Sequence, residues 1–151
     1  MNYLDRILGL DYGRRRLGIS ISDPLGLTAQ PFTTWIVEQR SSLEERLRLF
    51  ILQNNITRVV IGFPLTLKGE IGRMAREIQA FAEKLRELSG IDVILWDERL
   101  TSSQAKRFLH AGERKSRRKK ENIDQIAAVL ILQNYLDYLN RPASINSEKN
   151  I

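Results

Sequence analysis

Short apolar runs alternate with longer segments of helical periodicity along this chain, and the alternation predicts an α/β fold. The runs Ile7–Leu10 and Leu17–Ser22 flank a Gly- and Arg-rich turn that is too short for a helical crossover, so they should pair as an antiparallel hairpin. Further strands are predicted at Phe32–Val37, at Arg58–Phe63, which is apolar enough to be a buried parallel strand, and at Ile91–Asp97.

Four helices are predicted between and after these strands, each from apolar residues at helical spacing or from a capping residue. The first begins at Ser41 or Ser42, and the second spans about Arg73 to Leu88, where Gly90 closes it. The others are predicted from Thr101 to about Ala111 and from about Asn122 to Leu139.

The resulting element order, β-β-β-α-β-α-β-α-α, predicts a mixed five-stranded sheet with helices on both faces. Right-handed crossovers would place the first, fourth and fifth strands side by side and parallel. We expect one domain over residues 1–140, followed by a polar and frayed tail over residues 141–151.

Composition narrows the classes of function. The 151-residue chain carries a net charge of +6 and has a pI of about 9.9, which favours a polyanionic partner such as nucleic acid. It has no cysteine, which excludes thiolate chemistry, and its single histidine, His110, excludes a multi-histidine metal site. A charged N-terminus and short apolar runs predict a cytoplasmic protein without a membrane partner.

Acidic residues stand against apolar surface at three places, where an uncompensated charge would be costly. Asp11 and the pair Asp97-Glu98 each follow an apolar run, and Asp124 precedes the apolar helix face formed by Ala127 and its neighbours. A divalent metal could neutralise several carboxylates together. Strand alternation lets only one of Asp97 and Glu98 face Asp11, without deciding which. Alternatively, Asp11 lies in a solvated turn, and Asp124 stabilises the N-terminus of its helix.

Basic residues border two of these acids and would suit a substrate that carries phosphates. One cluster follows Asp11, and the other precedes Asp124 in a predicted loop; both could equally be solvated charge runs. The candidate nucleic-acid-binding residues are Arg14, Arg15, Arg16, Arg114, Lys115, Arg117, Arg118, Lys119 and Lys120.

Glycine-containing segments supply further candidates. Gly13 would allow a tight turn beside Asp11. The segment Gly62-Phe63-Pro64, with Gly69 and Gly72, could form a backbone cradle for phosphate, or it could simply connect a strand to a helix.

Four blocks of the sequence, in order, resemble the YqgF (RuvX-like) family of nucleases. The blocks are Leu10-Asp11-Tyr12-Gly13 with Leu17-Gly18-Ile19-Ser20, Gly62-Phe63-Pro64-Leu65 with Gly69, Asp97-Glu98-Arg99-Leu100-Thr101, and Ile123-Asp124 with Ala127-Ala128-Val129-Leu130-Ile131-Leu132. The resemblance spans about Arg6 to Leu139 and implies a ribonuclease H-like fold. One departure is Glu121, where the family often has glycine.

By position, the resemblance implies that Asp11, Glu98 and Asp124 form the acidic triad of the family. It therefore favours Glu98 over Asp97, and it implies that Arg99 and Thr101 shape the same site. The implied activity is hydrolysis of phosphodiester bonds in structured nucleic acid, with the triad holding two Mg²⁺ or Mn²⁺ ions.

Processing of the 5′ end of pre-16S ribosomal RNA is the favoured function. One alternative is resolution of Holliday junctions, which would require a homodimer to cut two strands symmetrically. The other is a nucleic-acid-binding factor that does not cleave, in transcription or ribosome assembly.

Overall fold

The computed structural model describes residues 5–39, 42–100 and 116–142. These residues form five strands, three α-helices and one short 3₁₀ turn. In chain order the elements are β1 (Arg6–Tyr12), β2 (Arg16–Ser22), β3 (Ala29–Ile36), α1 (Leu43–Gln53), β4 (Ile56–Phe63), α2 (Arg73–Ser89), β5 (Asp92–Asp97), the 3₁₀ turn (Glu98–Leu100) and α3 (Arg117–Leu139).

The five strands form one mixed sheet in the order β3-β2-β1-β4-β5. Strand β2 pairs antiparallel with both β1 and β3, whereas β4 runs parallel to both β1 and β5. The predicted hairpin, the parallel crossovers and the mixed five-stranded sheet are therefore confirmed. Because β1, β4 and β5 are parallel, their carboxyl ends meet at one edge of the sheet.

Strand alternation divides the core into two layers. Side chains such as Leu8, Leu10 and Ile61 face α1 and α2 in the larger cluster. On the other face, Val60 packs with Ile131 and neighbouring side chains of α3. Both faces are thus covered by helices, as predicted, and β1 and β4 are apolar on both sides for that reason.

Two element boundaries differ most from the prediction. Strand β3 begins at Ala29 rather than Phe32, and it includes Pro31, which an edge strand tolerates because one side needs no ladder hydrogen bond. Helix α3 begins at Arg117 rather than Asn122, because the Ser116 side chain accepts a hydrogen bond from the backbone N–H of Lys119. Arg117 to Lys120 therefore form the first helical turn and not a loop.

Other predicted helix ends have mixed outcomes. Ser42 stands at the N-cap position of α1, but its hydroxyl donates to the carbonyl of Gln39 instead of capping the helix. Helix α2 ends at Gly90 as predicted. The described helices include none that is both long and apolar enough to cross a bilayer.

Several predictions fall outside the described residues. These are the helix from Thr101 to Ala111, His110, the basic residues Arg114 and Lys115, and the tail beyond residue 142.

Candidate active site

Asp11 lies near the end of the central strand β1, with a glycine on each neighbouring strand. It pairs with Gly18 of β2, and the register of Leu10 with Ile61 sets it beside Gly62 of β4. The Asp11 side chain lies on the α3 face of the sheet, by alternation with Leu10. Only 8% of the residue is exposed, so its carboxylate lies in a largely dry position.

Asp124 lies over Gly18, on the same face as Asp11. A Cβ atom built on Gly18 would overlap the backbone carbonyl of Asp124, so α3 can approach β2 this closely only because residue 18 has no side chain. Asp124 is 6% exposed. It lies about two turns beyond the first residue of α3, too far for the helix N-terminus to account for its position.

Two hydroxyl groups attach the first half of α3 to the sheet. Thr34 of β3 donates from Oγ1 to the carbonyl of Glu121 at 2.7 Å, and buried Ser20 of β2 donates from Oγ to the carbonyl of Ala128 at 2.7 Å. Asp124 lies between these two attachment points. The bonds therefore hold the carboxylate over the sheet next to β1.

Glu98 reaches the same face from the end of β5. A Cβ atom built on Gly62 would collide with Oε1 of Glu98 and with Ile131 of α3, so the Glu98 carboxylate fills the space above this glycine. Trp96 packs against Tyr135 of α3 on this face. The structure thus brings Glu98 toward Asp11 across one strand.

The Asp97 side chain forms an ion pair with Arg99. Arg99 donates from Nε and Nη2 to the Asp97 carboxylate, the latter at 2.8 Å. This side-chain hydrogen bonding holds the pKa of Asp97 below its ordinary value and raises the pKa of Arg99. The pair also places the Arg99 guanidinium against Gly69 of the β4–α2 loop.

The three arginines after Asp11 have different surroundings. Arg14 forms an ion pair with Glu77 of α2 at 2.7 Å, and Arg15 is exposed. Arg16 instead points inward, where its Nε lies 2.5 Å from Oδ2 of Asp124. Gly13 allows the tight turn that contains Arg14 and Arg15, because a Cβ on residue 13 would meet the carbonyl of Arg16 at 2.8 Å.

The four basic residues at the start of α3 are all exposed. Arg117 lies 3.3 Å from Glu121, its partner one turn later on the helix. Glu121 thus continues the helix in place of the glycine common in the family, and it points to Arg117.

The β4–α2 loop contains a hydrogen-bonded turn from Thr66 to Gly69. Pro64 ends β4, Leu65 bridges to Ile71, and Gly69 takes a positive φ of 80° in a turn closed by Thr66. Gly62 leaves space for Glu98, and its role in a phosphate cradle stays a prediction.

The donor set has the chemistry that Mg²⁺ and Mn²⁺ prefer, because all three candidate ligands are carboxylates. Gly18 and Gly62 leave room beside Asp11 for two of them. Within the described ranges, however, no three acidic or histidine side chains converge enough to enclose an ion. The residues therefore fit such ions in type and in placement on one face, while Asp124 is paired with Arg16.

Sequence reasoning missed three contributors to this arrangement: Gly18, Ser20 and Thr34. A glycine and a serine at alternate positions of β2 were a readable signal, since both must share one face of the strand. Thr34 gave no such signal, because its contact with Glu121 joins residues far apart in the chain.

A mixed sheet in the order β3-β2-β1-β4-β5 with helices on both faces is a ribonuclease H-like fold, and carboxylates from β1, from the end of β5 and from α3 lie on one of its faces. The chain belongs to the RuvX family, described as Holliday junction resolvase, whose profile matches residues 5–138.

Bacterial relatives match along nearly their whole length. One from Listeria monocytogenes serotype 4b (strain CLIP80459), named "Putative pre-16S rRNA nuclease", is 43% identical over 137 residues, covering 89% of this chain and 99% of the relative. One from Bacillus cereus (strain B4264) has the same name and is 42% identical over 134 residues, covering 87% and 98%.

Solved structures support the fold at low sequence identity. Thermus thermophilus RuvC in complex with a Holliday junction superposes with a TM-score of 0.59 at 12% identity, covering 90% of this chain and 97% of that one. The Fowlpox virus resolvase bound to Holliday junction DNA gives 0.56 at 13% identity, covering 90% and 99%.

Proposed function

We propose that this protein is a metal-dependent nuclease that processes the 5′ end of pre-16S ribosomal RNA in the cytoplasm. The observation that supports it most is the placement of Asp11, Glu98 and Asp124 on one face of the sheet, with Gly18 and Gly62 leaving space beside Asp11. The relatives named as pre-16S rRNA nucleases support this choice of substrate.

In this proposal Asp11 is the central ligand, because it lies on β1, between β2 and β4. Gly18 of β2 and Gly62 of β4 leave the space that Asp124 and Glu98 occupy. Glu98 and Asp124 would complete the coordination of Mg²⁺ or Mn²⁺, with two ions as the proposed number. Such ions, when bound, activate water and stabilise the leaving oxygen of a phosphodiester. The buried position of Asp11 and Asp124 keeps their charges little screened by water.

Exposed basic residues would hold the substrate backbone without reading its sequence. Arg15 borders Asp11, and Arg118, Lys119 and Lys120 lie on the helix that carries Asp124. Arg114 and Lys115 belong to the same proposal from sequence alone, and Thr101 is proposed, also from sequence alone, to shape the site.

The proposal is tested by Asp11→Asn, which keeps the side-chain shape and removes a charge that metal binding needs. We expect cleavage of structured RNA to fall by several orders of magnitude, while RNA binding and folding persist because other residues supply them. Cleavage by the wild type should also stop in excess chelator and return with Mg²⁺ or Mn²⁺.

The matched control is Asp92→Asn, since Asp92 is an exposed carboxylate at the opposite end of β5. It should cleave like the wild type. A wild type that binds RNA and branched DNA but cuts neither, with Asp11→Asn behaving identically, would instead support a non-cleaving binding factor.

Resolution of Holliday junctions is a second candidate, because the family carries that description and both superposed resolvases are bound to junctions. It would require a two-fold symmetric homodimer that nicks two strands. Light scattering on the protein with and without a four-way DNA junction tests it. A strict monomer that cuts RNA but leaves junctions intact would exclude this candidate.

A further inference from the structure

Arg16 is a cationic side chain that the structure places against a carboxylate of the candidate site. Its Nε lies 2.5 Å from Oδ2 of Asp124, with side-chain exposures of 27% for Arg16 and 9% for Asp124. Its neighbours in the turn differ, since Arg14 reaches out to Glu77 and Arg15 is exposed. Arg16 thus meets a carboxylate of the candidate triad.

Burial of the Asp124 carboxylate explains why it pairs with Arg16. A carboxylate held in a dry position destabilises the fold unless a cation or strong hydrogen bonds compensate its charge. The backbone of Asp124 cannot move away from the sheet easily, because it is seated on Gly18 and α3 is fixed by Thr34 and Ser20. Arg16 is the more exposed partner, so it is the one able to leave.

We propose that Arg16 is a resident counterion of the metal-free protein, which a divalent metal displaces from Asp124. This inference rests on the proposed function. A guanidinium and a divalent ion repel each other, and in this proposal they compete for the Asp124 carboxylate.

The displaced guanidinium has an obvious second partner in the proposed reaction. Arginine presents a planar fork of donors that matches phosphate oxygens. Once Asp124 is neutralised by metal, Arg16 would remain beside the site where the phosphodiester lies. The same side chain would thus stabilise the empty site and then bind the substrate.

A different role of Arg16 predicts the opposite effect of its removal on metal affinity. Arg16 could hold one oxygen of Asp124 and orient the other toward a metal, as outer residues of metal sites often do. Removing Arg16 would then weaken metal binding. Competition predicts that removing it strengthens metal binding.

The experiment is calorimetric titration of Mn²⁺ into the wild type, Arg16→Met and Arg15→Met, with melting of each in chelator and in Mn²⁺. Methionine keeps much of the apolar length and removes the charge, and Arg15→Met corrects for the change in net charge. We expect Arg16→Met to bind Mn²⁺ roughly ten- to a hundredfold more tightly than Arg15→Met. It should also melt at a lower temperature in chelator and recover in Mn²⁺.

Two further variants keep the test decisive. Arg16→Lys retains the charge, so its Mn²⁺ affinity should stay within a few-fold of wild type even if Arg16→Met folds poorly. In an Asp124→Asn background, Arg16→Met should cause little additional loss of melting temperature, because the charge that it compensates is gone.

The outcomes are distinguishable. If the wild type takes up Mn²⁺ but Arg16→Met binds it equally or more weakly than Arg15→Met, competition is overturned and the proposed function stands. Site-specific uptake of Mn²⁺ is uptake that Asp11→Asn abolishes. If neither the wild type nor Arg16→Met shows such uptake, the metal-dependent function and this inference fail together.

Discussion

Gly18 and Gly62 shape the candidate site through the side chains that they lack. Each lies beside Asp11 in the sheet, and each leaves space that another acidic residue uses. Gly18 admits the backbone of Asp124, and Gly62 admits the carboxylate of Glu98. At the scale of single residues, therefore, the spacing of the three acids depends on Gly18 and Gly62, which have no functional group of their own.

Gly18→Ala should displace α3 at Asp124, because the new methyl group would overlap backbone atoms that cannot rotate away. Overpacking of this kind costs about 1–3 kcal/mol of the free energy of unfolding. We expect a loss in that range by urea unfolding, together with weaker Mn²⁺ binding than the wild type shows.

Gly72→Ala is the matched control, because nothing lies within 4 Å of a Cβ built at residue 72 and its φ is negative. It occupies the N-cap of α2, so a loss below about 1 kcal/mol is expected. Equal losses for the two variants would show that Asp124 is not seated on Gly18.

The start of α3 determines how the basic residues and Asp124 are related at the scale of elements. Ser116 caps the helix, so the basic run from Arg117 to Lys120 joins the same rigid element as Asp124. Successive helical residues point about 100° apart, so these four side chains surround the helix and cannot all face one phosphate. A loop would have allowed them to converge.

Ser116→Ala removes the side-chain oxygen that accepts from the Lys119 N–H. Loss of such a cap costs about 0.5–2 kcal/mol, and we expect a fall in Tm of about 1–8 °C, with faster amide exchange at the start of α3. Ser116→Asn, which can still cap, should restore most of the Tm.

Ser42→Ala provides a second comparison, because Ser42 holds the same position on α1 without a side-chain capping bond. Its loss should be a few tenths of a kcal/mol. If Ser116→Ala were equally mild, the helix start at Arg117 would not depend on its cap.

The distribution of charge is the property that matters at the scale of the whole molecule. The net charge of +6 is not spread uniformly around the candidate site, since exposed basic residues lie on the same helix as Asp124. Basic residues elsewhere are partly balanced, as Arg48 is by Glu45 and Lys84 by Glu44. Binding of a polyanion should therefore depend on where a positive charge is removed.

Lys119→Ala combined with Lys120→Ala should reduce the dependence of nucleic-acid affinity on salt, because fewer counterions are released on binding. The slope of log affinity against log salt should flatten by up to roughly 0.9 per lost contact on duplex DNA. Alanine preserves the helix, so folding should be unchanged. Fluorescence anisotropy over a series of salt concentrations measures the slope.

The control removes two positive charges from the α1 and α2 layer, as Arg48→Ala combined with Lys84→Ala. It lowers the net charge equally and should leave the slope nearly unchanged. Equal flattening in both double variants would mean that only the total charge matters.

The sequence by itself predicted the fold class, which is confirmed, and it supplied the three candidate acids, which stay a prediction. Hydrophobic periodicity predicted the hairpin, the parallel strands and helices on both faces, because burial on one or both sides must appear in the order of residue types. Family resemblance then selected Glu98 over Asp97. The error at the start of α3 has a local cause, since Ser116 was readable as a cap but the polar run after it resembled a loop.

Only the tertiary structure decided how these residues meet. The seating of Asp124 on Gly18, the position of Glu98 above Gly62 and the inward turn of Arg16 each join residues from separate elements. The Arg16–Asp124 pair spans 108 residues of chain. Local propensity carries no information about such a contact, because it arises from strand register and from the closeness with which a helix packs on glycine.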